Sequence, residues 1–131
     1  ALLKLPQHRF RLTIDSIVWA FKHTHRDIAD TGLAICHEML ENFGRFPDRS
    51  VAGAFYSSFL LPLLQDLLVV LTDADHKAGF RWQAAVLALL FRSLVDGTVS
   101  CRLDESAGNV EFVTGRVSTW LTTAFGHLQR Y

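Results

Sequence analysis

"FKHTHRDIADTGL", residues 21–33, lies between two strongly apolar stretches, and its reading decides the fold. It carries two histidines one residue apart, charges of both signs, two threonines and a glycine. It is either a metal or catalytic centre or the corner where one helix turns back on another. On its N-terminal side Phe10, Ile14, Ile17, Val18 and Phe21 recur at spacings of three and four. A 3.6-residue period lays such positions on one face, which predicts a helix over 9–23. On the other side Ile28, Leu33, Cys36, Leu40 and Phe43 repeat the pattern and predict a helix over 26–43. The stretch between them is a corner.

The same spacing continues outward. "FGRFPDRS" (43–50) reads as a connection, because Pro47 disfavours helix at the residue before it. A third helix is predicted over 51–72, with Phe55, Phe59, Leu63, Leu64, Leu67, Leu68 and Leu71 inward. Pro62 removes a backbone donor there, so a kink is expected, or a break with Pro62 opening a new helix. A fourth helix is predicted over 77–95, with Phe80, Ala84, Leu87, Phe91 and Leu94 inward and Gly97 suited to its C-terminal cap. The loop at 96–109 is long for a bundle connection. A fifth helix follows over 110–128, with Asn109 as its N-cap and Val113, Val117, Trp120, Leu121 and Ala124 inward. Nothing alternates with period two for long, so the fold class is all-α.

A repeat organises these helices. Thr24-x-x-Asp27 opens the second and Thr72-x-x-Asp75 the fourth, each a capping-box-like start. Gly32-Leu33 and Gly79-Phe80 follow at an offset of about 47 residues, the period of paired-helix solenoids. An early glycine in such a repeat lets neighbouring helices approach closely. The expected architecture is a right-handed HEAT-repeat α-solenoid segment of about five antiparallel helices, two and a half repeats long, occupying 1–131 as a single segment.

Composition narrows the function classes. Half of the 131 residues are hydrophobic, with ten Phe and three Trp, and this apolar surface is hard to hide in so small a body. A solenoid segment with two raw ends accounts for the excess, so a piece of a longer chain is expected. Formal charge is zero and no run of Lys or Arg occurs, which argues against direct nucleic-acid binding. Cys36 and Cys101, far apart, fit a reducing compartment and not a disulfide framework. The longest apolar run, "FLLPLLQDLLVVL", is interrupted by Pro62, Gln65 and Asp66, so no membrane span or signal peptide is expected.

"FRLTIDSIVWAFKHTHRDIADTGL" (10–33), "FYSSFLLPLLQDLLVVLTDADHKAGF" (55–80), "AAVLALLFRSLVDGTVS" (84–100) and "AFGHLQ" (124–129) together resemble nuclear export receptors of the karyopherin-β family, near the C-terminal end of their HEAT array. The likeness spans nearly the whole chain and departs at His25, where an apolar residue is expected, and at Pro62, where a non-proline is. It implies a parent protein that binds leucine-rich export-signal cargo together with the Ran GTPase in its GTP state. It further implies passage of the pore on phenylalanine-glycine nucleoporins, shuttling between nucleus and cytoplasm, and no cofactor. The cargo groove and its reactive cysteine lie in the middle of such receptors, and neither Cys36 nor Cys101 matches that cysteine. A HEAT-repeat adaptor or scaffold with a different partner is the alternative.

The candidate site residues follow from this frame. His23, His25, Cys36 and His37 lack the four converging ligands of a structural zinc site, and no Ser, His and Asp set a nucleophile against an oriented base. No catalytic, metal or cofactor role is expected. Lys22, Arg26, Asp27 and Asp30 stand at the start of the second helix, where B helices of a HEAT array line the inner face. They either face a partner such as Ran or form a cap and a solvated pair. Trp19, Phe46, Tyr56 and Phe80 lie off the main stripe or near helix ends. They either line shallow pockets for a nucleoporin phenylalanine or pack between repeats.

Overall fold

The computed structural model describes residues 6–45 and 49–125, with the side chains of 11–45 and 50–125. Among these residues are five α-helices: α1 Pro6–Lys22, α2 Arg26–Arg45, α3 Arg49–Leu71, α4 Phe80–Val95 and α5 Asn109–Phe125. A 3-10 helix, Ala74–Gly79, leads into α4, and no strand occurs among the described residues. The fold is all-α. The chain divides into two compact units, Ala1–Cys101 and Arg102–Tyr131.

In the first unit α1 packs on α2 and α3 on α4, while α1 also stacks on α3 and α2 on α4. This pair-on-pair layering is that of a HEAT-like solenoid segment. Ile14, Ile17 and Phe21 of α1 and Leu33, Cys36, Leu40 and Phe43 of α2 are buried, as their spacing requires. Helix α3 is strongly apolar, and a wide face of it is buried, from Ala52 to Val70. Phe43 meets Phe55 at 4.7 Å between ring centroids, and Phe55 meets Tyr56 at 5.3 Å and Phe59 at 5.4 Å. Each such fully buried large side chain contributes about 1.5–3 kcal/mol of transfer free energy, with edge and tilted ring contacts adding to it.

Several local expectations change. Pro62 does not break the third helix: α3 runs unbroken from Arg49 to Leu71. Pro62 lies on the exposed side, where solvent can serve the carbonyl that a proline cannot. By length and composition Ser50–Leu71 and Ala74–Val95 are apolar enough to cross a membrane, which the interruptions at Pro62, Gln65 and Asp66 had argued against. Within the fold each packs one face against the other helices of the first unit.

The inward face of α4 is also rotated from the apolar stripe. Gln83, Val86, Leu89, Leu90, Ser93 and Leu94 are buried, whereas Phe80 is 57% exposed and Ala84, Leu87 and Phe91 are only half-buried. Two of the buried positions are polar and donate to the backbone: Gln83 Nε2 to the His76 carbonyl at 2.9 Å and Ser93 Oγ to that of Leu89 at 2.9 Å. Helix α4 ends at Asp96, and Gly97 follows with φ 86°, the left-handed conformation a glycine adopts without a Cβ penalty. The Asp96 carboxylate then accepts from the Thr98 backbone N–H at 2.9 Å and from its hydroxyl at 2.6 Å, closing the reversal.

The second unit is a loop braced by its own hydrogen bonds, followed by α5. Arg102 donates to the carbonyls of Asp104 and Glu105, and Asp104 Oδ2 accepts from the backbone and hydroxyl of Ser106. Asn109 is the first helical residue, one place inside the cap position assigned to it; the Gly108 carbonyl accepts from Phe112 at 2.8 Å. The Asn109 side-chain oxygen instead accepts from the Leu103 backbone N–H at 3.0 Å, tying loop to helix. Val113 and Val117 are buried, Trp120, Leu121 and Ala124 half-buried, and the expected end at Leu128 lies outside the described residues.

Candidate functional site

The corner between α1 and α2 is built by a histidine. The His25 backbone N–H donates to His23 Nδ1 at 2.9 Å, and the His25 carbonyl accepts from Ala29 at 3.0 Å. The helix therefore starts after His25 and not after Thr24, and the side chain that captures an orphan amide is an imidazole. Trp19 stacks edge-on against His23 with centroids 5.4 Å apart, and the His23 and His25 rings are 6.4 Å apart. Among the described residues no group of three or more His, Cys, Asp or Glu is placed to hold a metal ion. Cys36 is fully buried, and burial pushes its thiol up to about 12.

The second half of the repeat is capped differently. Asp73, not Thr72, stands at the N-cap of the 3-10 helix, where its Oδ1 accepts from the Asp75 N–H at 2.9 Å. Thr72 donates its hydroxyl back to the Leu68 carbonyl at 2.7 Å, which closes α3. His76 lies within 3.2 Å of Asp73 Oδ2 through Nδ1 and within 3.0 Å of the Lys22 carbonyl through Nε2. A single ring thus joins the end of α1 to the entry of α4. The stretch "TDADH" carried this signal, since an aspartate three residues before a histidine at a helix start is a local pair, but the threonine drew the reading instead.

The four charged candidates separate into two kinds. Lys22 Nζ sits 2.6 Å from Asp66 Oδ1 on α3, and Asp30 keeps one oxygen buried. Lys22 thus reaches across to α3 while staying 42% exposed, and Asp30 is half-buried. Arg26 is 70% exposed at the side chain and only 3.6 Å from Asp30 Oδ2, a loose i,i+4 pair of small worth. Asp27 is exposed in the first turn of α2, beside the positive end of the helix. Arg26 and Asp27 are the charges this corner offers outward.

The aromatic candidates also separate. Trp19 is 65% exposed and lines a groove of about 420 Å³ between α1 and α3, with Asp15, Phe59, Pro62 and Asp66 around it. Phe80 is exposed at the start of α4. Tyr56 is a correction: it is fully buried beside Phe43 and Phe55, so it packs the core and lines no surface pocket. Burial pushes its phenol up to about 12, with the Ser93 hydroxyl beside it pulling the other way. Phe46 lies outside the described residues. A second groove, of about 700 Å³, runs between α1 and α2, floored by Ala20 and Gly32 and edged by the exposed Leu12 and Ile35.

Layered helix pairs, with a corner of outward charges and shallow grooves between the helices, define a helical-repeat segment. A profile of the family described as CRM1 C terminal matches residues 1–131. Exportin-1 of Schizosaccharomyces pombe is 42% identical over 136 residues, covering 98% of this chain and 12% of that protein. Exportin-1 of Drosophila melanogaster is 37% identical over 128 residues, with the same coverage of 98% and 12%. Protein EXPORTIN 1B of Arabidopsis thaliana is 35% identical over 135 residues, again 98% and 12%. The chain belongs to the exportin-1 (CRM1) C-terminal family, and spans 12% of the length of these relatives.

Proposed function

We propose that the chain serves as the C-terminal HEAT segment of a nuclear export receptor, which carries leucine-rich export-signal cargo out of the nucleus with Ran in its GTP state. Its work is binding and mechanical continuity, not chemistry. The observation that carries this reading is likeness across 98% of the chain to proteins named exportin in a yeast, an insect and a plant. In a solenoid each unit contacts only its neighbours, so every interface sets local curvature. The segment thereby influences how the whole array closes around its partners.

Within that role Arg26 and Asp27 form the partner-facing charges, with Asp30 beside Arg26 and Lys22 tied to Asp66 of α3. Trp19, in the groove between α1 and α3, and the exposed Phe80 supply apolar contact for phenylalanine-glycine segments of nucleoporins. The receptor shuttles between nucleus and cytoplasm. The test is capture of the full-length parent protein by an immobilised export-signal peptide, with and without GTP-loaded Ran. Ran-dependent capture, weakened by charge reversal at Arg26 and Asp27, supports the reading. Capture indifferent to Ran moves the adaptor alternative to the front.

A further inference from the structure

We propose that His76 is doubly protonated in the folded chain and acts as a pH-sensitive tie between the end of α1 and the entry to α4. Its side chain is 10% exposed, and the ring lies between two oxygens. Nδ1 is 3.2 Å from Asp73 Oδ2, and Nε2 is 3.0 Å from the carbonyl of Lys22, 54 positions earlier in the chain. A carbonyl only accepts, and so does an ionised carboxylate. The Asp75 N–H holds the Asp73 carboxyl below the usual carboxylate range, so the ionised form is the one that meets the ring. Either neutral tautomer sets a bare nitrogen against one of the two oxygens. Turning the ring over loses both bonds, since carbon then faces each oxygen. Only the imidazolium donates twice.

The charges around the ring come from every element packed there. Its own 3-10 helix and cap supply Asp73 and Asp75, the corner supplies His23, and α2 supplies Arg26 and Asp30. Helix α4 brings the neutral Gln83, while Lys77 and Arg81 are exposed and lie outside this cavity. Lys22 keeps its amine on Asp66 of α3 at 2.6 Å. Three carboxylates thus stand against one guanidinium, and Arg26 is 70% exposed at the side chain, where solvent screens it. The Lys22 carbonyl also closes α1, whose C-terminal end carries partial negative charge and favours a cation. His23 works the opposite way: its Nδ1 accepts from the His25 N–H at 2.9 Å, so that ring keeps one nitrogen bare. Loss of the second hydrogen from His76 turns a lone pair on Nδ1 toward a carboxylate, and the tie keeps one bond of its two. The two helix pairs are therefore joined more firmly on the acid side of the histidine range than on the alkaline side. This inference does not depend on the export reading, since it concerns atoms of this chain alone.

The experiment is nitrogen NMR of the histidine rings in the folded chain at about pH 7, with the His76 signals identified by their loss in His76→Gln. The expected result is a hydrogen on both His76 nitrogens; one hydrogen and one bare nitrogen overturns the proposal. Urea unfolding provides the second arm. Glutamine at this position can still donate to the Lys22 carbonyl but carries no charge, and His23 is common to both chains. The parent's urea midpoint should exceed that of His76→Gln at about pH 6, and the gap should close by about pH 9. A gap that is absent at the lower pH, or that stays constant or widens as pH rises, overturns the tie.

Discussion

Gly32 of α2 meets Ala20 of α1 at backbone contact: a β-carbon on Gly32 would stand 2.7 Å from Ala20 Cβ and 2.8 Å from the Phe21 nitrogen. No real Cβ tolerates both, and one of the two obstacles is backbone that cannot swing aside. Gly32→Ala should therefore destabilise the fold by about 1–3 kcal/mol, although alanine is the better helix former. Gly115 in α5 has nothing within 4 Å, so Gly115→Ala should stabilise by about 0.5–1 kcal/mol. Denaturant midpoints of the two variants should move in opposite directions.

The Lys22–Asp66 pair is short at 2.6 Å but 42% and 27% exposed at its two side chains. Partial exposure limits its worth to about 1 kcal/mol or less. Asp66→Ala should lower stability by that amount at low salt, and most of the difference should disappear at 1 M salt, where the Debye length is about 3 Å. Equilibrium unfolding at the two salt concentrations measures it.

Acid should act on the turn into α4. The Asp75 N–H holds the Asp73 carboxyl below the usual carboxylate range, and the neighbouring His76 pulls the same way. A folded-state pKa below the unfolded one gives stability that is fully present above the unfolded value of about 3.9, and is lost as pH falls through the lower folded value. Asp73→Asn keeps a side-chain oxygen for the cap but removes the titration. Its stability should fall less steeply than that of the parent as pH drops below about 4.

The two thiols should react in order. Cys36 is fully buried and its thiol is pushed up to about 12, while Cys101 is partly exposed with a smaller rise from burial. The thiolate is the nucleophile, and access limits it further. Alkylation at neutral pH followed by peptide mapping should label Cys101 in the folded chain and Cys36 only after unfolding. Equal labelling of both in the native state would contradict the packing of α2.

Periodicity located the helices because each has a long apolar face, and the corner at 21–33 was legible as a corner for the same reason. The details that failed are those set by groups the periodicity does not count. Helix α4 turns a glutamine and a serine inward because backbone carbonyls of His76 and Leu89 receive them, and this carries Phe80 out to solvent. Thr24 and Thr72 looked like caps, yet a histidine and an aspartate one residue away make the bonds. Tyr56 looked like a candidate for a surface pocket, and only the three-dimensional crowding with Phe43 and Phe55 places it in the core. Of the corner charges, which pair inward and which face out depends on α3 and α4, more than thirty residues away in sequence.

The distribution of aromatic side chains fixes which optical signals report on the fold. Trp19 is 65% exposed and Trp82 is 37% exposed, so two of the three indoles meet solvent even in the native chain, while Trp120 is half-buried. The fluorescence of those two should already be red-shifted and should change little on unfolding. The asymmetric packing of Tyr56 against Phe43 and Phe55 should give the near-ultraviolet circular dichroism that reports on the core. A melting curve followed through tryptophan emission would therefore understate the unfolding of the first unit, where both exposed indoles lie.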